Sequence, residues 1–145
     1  MDQAAAEKRL DVIRPVPGRS DLIPTGMPRA SKHRYGNRVT QLQREMATIR
    51  EVPIADLHAV QRGVSRRKVR QLLRHPEAFD LHGHTTDHGI LDDLPIVVHY
   101  GAKLYLHDGH HRVVAQRLLG ADRVKARVVR IPNPIALWAK GGSAA

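Results

Sequence analysis

The chain contains no cysteine in its 145 residues. Disulfides, thiol nucleophiles and cysteine-based zinc sites are therefore excluded together. Aromatic residues are almost as scarce, at 3%, so the core has to be aliphatic and small. A domain of about 90 residues with tails suits that supply better than one core built from the whole chain. No apolar run approaches the ~20 residues of a membrane-spanning helix, and the first residues carry no apolar signal region. A cytoplasmic protein is expected. Acids are few: 14 Asp and Glu stand against 24 Lys and Arg, a formal net charge of +10. That imbalance points to a polyanionic partner, nucleic acid first. Charge that serves only solubility is the competing reading.

What is present falls into three parts. Residues 1–40 read as a basic, Pro/Gly-rich tail, disordered or extended. Pro15, Pro17, Pro24 and Pro28, with Gly18, Gly26 and Gly36, interrupt every candidate element. Residues 41–131 read as the domain, and 132–145 as a C-terminal extension, with Trp138 packing back on the sheet. Within the domain, 41–46 suggests a short helix, and Thr48 to Ile54 alternates as a first strand, with Pro53 marking its end or an edge position. A turn at Ala55-Asp56-Leu57 then leads into a loop.

Ser65 opens the clearest helix, which runs to His75 and is stopped by Pro76. Val69, Leu72 and Leu73 form its apolar stripe, with Val64 before the cap. From Arg62 to Arg74 there is no acid at all. Arg66, Arg70 and Arg74 follow one another at four-residue spacing, with Arg67 beside them. Like charges stacked in this way repel, and a nucleic-acid backbone across the face would relieve them. These four arginines are the expected DNA contacts.

The central stretch is Leu94 to Ile131. Ile96-Val97-Val98 and Leu104-Tyr105-Leu106 flank Tyr100-Gly101-Ala102, which reads as strand, tight turn, strand. Asp108-Gly109 opens a helix with Asp108 as its N-cap. The helix carries Val114, Ala115, Leu118 and Leu119 on its apolar side and closes at Gly120. Val124 to Ile131 is a further strand. The whole predicts an α+β fold with a small mixed sheet and helices packed on it. Gly109-His110-His111-Arg112 falls at a helix N-terminus, where backbone N–H groups and the positive dipole end suit a phosphate. The glycine lets an anion approach, and Arg112 adds a fork of donors. A hairpin–helix corner with solvated histidines is the plain alternative.

Asp108-Gly109-His110-His111-Arg112-Val113-Val114-Ala115, followed by Leu119-Gly120-Ala121 and a closing strand, resembles the ParB/sulfiredoxin superfamily with its Gly-x-x-Arg box. The resemblance spans residues 49–131. It implies a ParB/sulfiredoxin-like fold and a nucleotide or phosphate site at Gly109, His110, His111 and Arg112. The loop at Gln61-Arg62 would face that box, as a remnant of the family's proline-containing pattern.

Three functions follow from it as expectations. The first is DNA binding by a ParB-like domain, with metal-dependent nuclease activity in which Mg or Mn assists Asp108, His110 and His111. The second is an enzyme like the free serine kinases, which share the same pentapeptide. Gln61 stands where those kinases have a glutamate, and a neutral amide cannot accept a proton. The third is a switch that binds ATP or CTP. Room is lacking after the box for the helix-turn-helix of full ParB proteins, and sulfiredoxin chemistry lacks its cysteine, which falls at His110. A phage or plasmid origin would suit the size and charge. Separately, His82-Gly83-His84-Thr85-Thr86-Asp87-His88 approaches a metal motif, but its spacing fits no closed site. No membrane partner is expected, and neither metal identity nor oligomeric state is legible.

Overall fold

The computed structural model describes residues 3–31, 35, 39, 45–75 and 94–131. These residues form an α+β fold of three helices, a mixed five-stranded sheet and a two-stranded one. In chain order the elements are α1 (Gln3–Asp11), β1 (Leu22–Ile23), β2 (Thr48–Pro53), a 3-10 turn (Ile54–Asp56), β3 (Leu57–Ala59) and β4 (Val64–Ser65). They continue with α2 (Arg66–Arg74), β5 (Ile96–Tyr100), β6 (Lys103–Asp108), α3 (His110–Leu118) and β7 (Arg123–Ile131). No helix among the described residues is long and apolar enough to cross a membrane.

The large sheet has the order β2-β7-β5-β6-β3. β2 runs antiparallel to β7, β7 parallel to β5, β5 antiparallel to β6, and β6 parallel to β3. The β5–β6 hairpin turns at Gly101, whose φ of 62° suits a residue without Cβ. The period of two in β5 serves two cores at once. Val97 joins Val52, Leu57, Leu106, Val113, Val124, Ala126 and Val128 on the helical side. Ile96 and Val98 join Tyr35, Tyr105, Val129 and Ile131 on the other. Both faces of the central strands are buried, and β7 supplies both: Val124, Ala126 and Val128 serve the first. Val129 and Ile131 serve the second face, and Arg130 is exposed.

α3 ties the layers together. Val113 packs on the sheet, whereas Val114 and Ala115 turn to a third core with Ala6 and Leu10 of α1 and Val69 and Leu73 of α2. α2 begins as expected: the Ser65 hydroxyl accepts from the Lys68 N–H at 3.3 Å, a side-chain N-cap. β3 is a correction, because Leu57 to Ala59 form a strand where a turn and loop were expected. Leu57 and Ala59, at the period of two, are buried against β6.

The largest departure is the N-terminal segment, which is neither disordered nor merely extended over residues 3–31. Gln3-Ala4-Ala5-Ala6 is strong helix-forming sequence, and Ala6 and Leu10, one turn apart, are fully buried. The prolines begin only after the helix has ended. Farther on, β1 pairs antiparallel with β4, and Pro28 and Ala30 exchange backbone hydrogen bonds with Ala59. The outer edge of β3 is thereby covered. Residues 41–44, 76–93 and 132–145 lie outside the described residues, and with them most of the expected helix at 41–46, the histidine-rich stretch 82–88 and Trp138.

Leu10→Ala therefore tests whether α1 belongs to the fold. Emptying a fully buried leucine site costs about 2–5 kcal/mol, seen as a lower urea midpoint at unchanged m-value. A midpoint equal to that of the parent would make α1 an appendage.

Candidate phosphate site at two helix N-termini

The Gly109-His110-His111-Arg112 box sits where β6 gives way to α3, as the turn dipeptide predicts. Its internal roles differ from the expectation. Asp108 is the last residue of β6, and Gly109 is the N-cap. Asp108 Oδ1 accepts from the Gly109 N–H at 2.9 Å, so this carboxylate fastens the turn rather than the helix. Gly109 has φ 92° and ψ 25°, the left-handed region that favours glycine. A Cβ there would lie 2.9 Å from Pro95 Cα. The space that the glycine leaves open is filled by Pro95, not kept for an anion.

The two histidines take up positions one and two of α3, and both face inward to the loop before α2. His110 is 1% exposed, and its Nε2 accepts from the Val60 N–H at 3.1 Å. His111 is half-buried, and its Nε2 accepts from the Ser65 N–H at 3.0 Å. An imidazole nitrogen that accepts carries no proton, so both rings are neutral with the proton on Nδ1. Burial first, and the nearby Lys68 ammonium second, hold the His111 pKa below its ordinary value of 6.5. Neither ring presents Nε2 to a substrate. Of the expected catalytic set, Asp108 Oδ1, His110 Nε2 and His111 Nε2 thus each accept a backbone N–H. Among the described residues, no three His, Asp or Glu side chains gather into a metal-binding group.

The loop at Gln61-Arg62 does come next to the box, held there by the bonds at Val60 and Ser65. Gln61 is half-buried. Arg62 reaches away and donates from Nη2 to the Pro17 carbonyl at 2.9 Å, so its cation is engaged with the N-terminal segment. Arg112, third in α3, is half-buried.

In the expected DNA-contact row, three of the four arginines engage α1. Arg66 donates through both Nη atoms to the Leu10 and Ile13 carbonyls at the end of α1. Arg70 pairs with Asp11, and Arg74 Nε with Glu7 Oε1 at 2.8 Å. The absence of acid between residues 62 and 74 was real, but the acids come from α1. Of the four arginines, Arg67 alone makes none of these contacts, and its side chain is exposed.

What remains at the surface is a joint between two helix starts. The His111–Ser65 bond brings the N-cap of α2 against the first turn of α3. Each nine-residue helix carries partial positive charge at that end. Arg67 and Lys68, both exposed, stand in the first turn of α2. A second cluster, without any signal in the sequence, lies on the opposite sheet face, where all three tyrosines of the chain meet. There the Tyr35 hydroxyl is 2.8 Å from His107 Nδ1. Burial, with Tyr105 adding a smaller share, pushes the Tyr35 pKa up to about 12. The chain matches no family model and no curated protein.

The His111 bond has a pH signature. An unfolded His111 binds its proton near pH 6.5, whereas the folded one resists it. Below that pH the unfolded state binds more protons, so stability is full above 6.5 and declines as pH falls toward the lowered folded value. His111→Gln retains an acceptor for Ser65 and should flatten this decline, at a cost of about 1 kcal/mol above pH 7. Urea midpoints measured from pH 7.5 to 5 read both effects. An equally steep decline in the variant would show that another group sets it.

Proposed function

We propose that this domain binds nucleic acid through backbone phosphates laid across the joint of α2 and α3. One observation carries the reading: the His111–Ser65 bond holds two positive helix ends together beside Lys68 and Arg67. Two such ends repel, and an anion across them relieves the repulsion while accepting from first-turn N–H groups. The formal charge of +10 favours encounter with a polyanion. The contacts assigned are Arg67 and Lys68 from α2 and Arg112 from α3. Arg66, Arg70 and Arg74 are left out because α1 already satisfies them. The likeness of residues 108–115 to the Gly-x-x-Arg box of ParB-like proteins points in the same direction.

Binding is the whole of the assigned activity. A general base beside a scissile phosphate would need an imidazole or carboxylate aimed outward, and Nε2 of both His110 and His111 is taken up by a backbone N–H. A phosphoryl transfer would need a carboxylate where Gln61 stands. The first-turn N–H groups of α3, rather than the turn at Gly109, suit a second ligand of the same chemistry, the phosphates of ATP or CTP, with Arg112 as the fork that grips them.

Arg67→Glu with Lys68→Glu should flatten the salt dependence of duplex binding, by about 0.9 in the log–log slope for each phosphate no longer neutralised. Arg70→Glu should lower stability through Asp11 and leave the slope alone. An unchanged slope in the first variant would move the DNA surface elsewhere. Calorimetry with ATP and CTP, with and without magnesium, tests the second ligand. Arg112→Ala should weaken that binding about tenfold or more, the loss of one charge-assisted bond. No heat from either nucleotide would restrict the joint to polymers.

A further inference from the structure

A cavity of about 370 Å³ lies between α1, the turn at residues 24–26 and α3. It plays no part in the joint just described. Its volume is at the small end for ligand sites. Ile13, Pro24, Val114 and Leu118 give it aliphatic walls, while Arg9 and Arg117 are the charged side chains that line it among the described residues. No carboxylate of those residues lines it. The acids of α1 are not available to these cations, since Glu7 and Asp11 are paired with Arg74 and Arg70. Arg9 and Ile13, four residues apart, share a different side of that segment and line the cavity together.

Arg117 is held in place at the cavity. Its Nη1 donates to the Gly26 carbonyl at 2.9 Å. Gly26 has φ 77°, and a Cβ there would lie 2.8 Å from that same nitrogen. The turn therefore suits glycine twice over: for its left-handed backbone, and because a side chain would strike the guanidinium. A guanidinium has five N–H donors, and one is used in this bond. The result is an apolar chamber with a fixed fork of donors and a second cation across from it.

We propose that this cavity binds a small aliphatic carboxylate. The hydrocarbon body lies on Ile13, Val114 and Leu118, and the carboxylate is gripped by Arg117 and Arg9. A planar carboxylate matches the guanidinium fork, and the aliphatic walls favour a short chain over a second charged group. The site is separate from the α2–α3 joint, so it stands or falls independently of phosphate binding there.

The probe is octanoate, titrated into the ¹⁵N-labelled full-length chain and followed by backbone amide shifts. Saturable shifts are expected at Gly26, Val114 and Leu118, and binding should weaken about tenfold in Arg117→Gln and in Arg9→Gln, each through one charge-assisted bond. Octanol should bind about tenfold more weakly than octanoate, and octylammonium should leave the shifts unmoved. Shifts that climb without saturating, or equal binding of octanol and octanoate, would overturn the proposal. Because Arg117 also holds the Gly26 turn, Arg9→Gln is the deciding variant: undiminished octanoate binding in it overturns the carboxylate assignment.

Discussion

Two imidazole nitrogens that accept backbone N–H groups hold this fold in register. His110 and His111 are neighbours in sequence, and each reaches a different point of the loop between β3 and α2. A neutral imidazole is suited to the position because it combines a buried, largely apolar ring with one directional acceptor. Losing either would leave an N–H in the interior without its partner, which costs more than the bond itself contributes. The two bonds set where α2 begins relative to α3. That in turn fixes how Val69 and Leu73 meet Val114 and Ala115 in the helical core.

The arginines of α2 satisfy a second constraint. α1 approaches with Glu7 nearest Arg74, Asp11 nearest Arg70 and its terminal carbonyls on Arg66, an antiparallel ladder at four-residue spacing on both helices. Arg66 meets the negative end of the α1 dipole, where a cation is favoured. The ion pairs are largely exposed and contribute modestly. Most of what attaches α1 is the burial of Ala6 and Leu10. The ladder fixes orientation, and the apolar contacts supply the binding energy.

Most of the domain was legible as sequence because local signals agreed with the final packing. Ser65 caps α2, the turn at Gly101 joins a hairpin, Gly120 ends α3 with φ 96°, and the alternation in Thr48–Pro53 is a strand. The failures share one cause, partners distant in sequence. A run of arginines without nearby acid looks free until a helix some sixty positions earlier, carrying Glu7 and Asp11, folds over it. A glycine before a helix suggests room for a ligand until Pro95 occupies that room. Two adjacent histidines resemble catalysis until the backbone of residues 60–65 arrives opposite them. β3 is three residues long and takes its pairing from β6, leaving no pattern of its own to read.

The placement of α1 also bears on the order of events in folding. Among the described elements this helix leaves the ribosome first, yet the surfaces that bury Leu10 belong to α2 and α3, and α3 is made nearly last of them. Nine residues of helix are marginal alone in water. α1 therefore spends most of the domain's synthesis as an unanchored segment of mixed charge, and its docking closes one of the longest loops in the domain. Contacts of that kind slow folding more than they alter stability. The earliest of the described helices is thus buried by surfaces that are made after it.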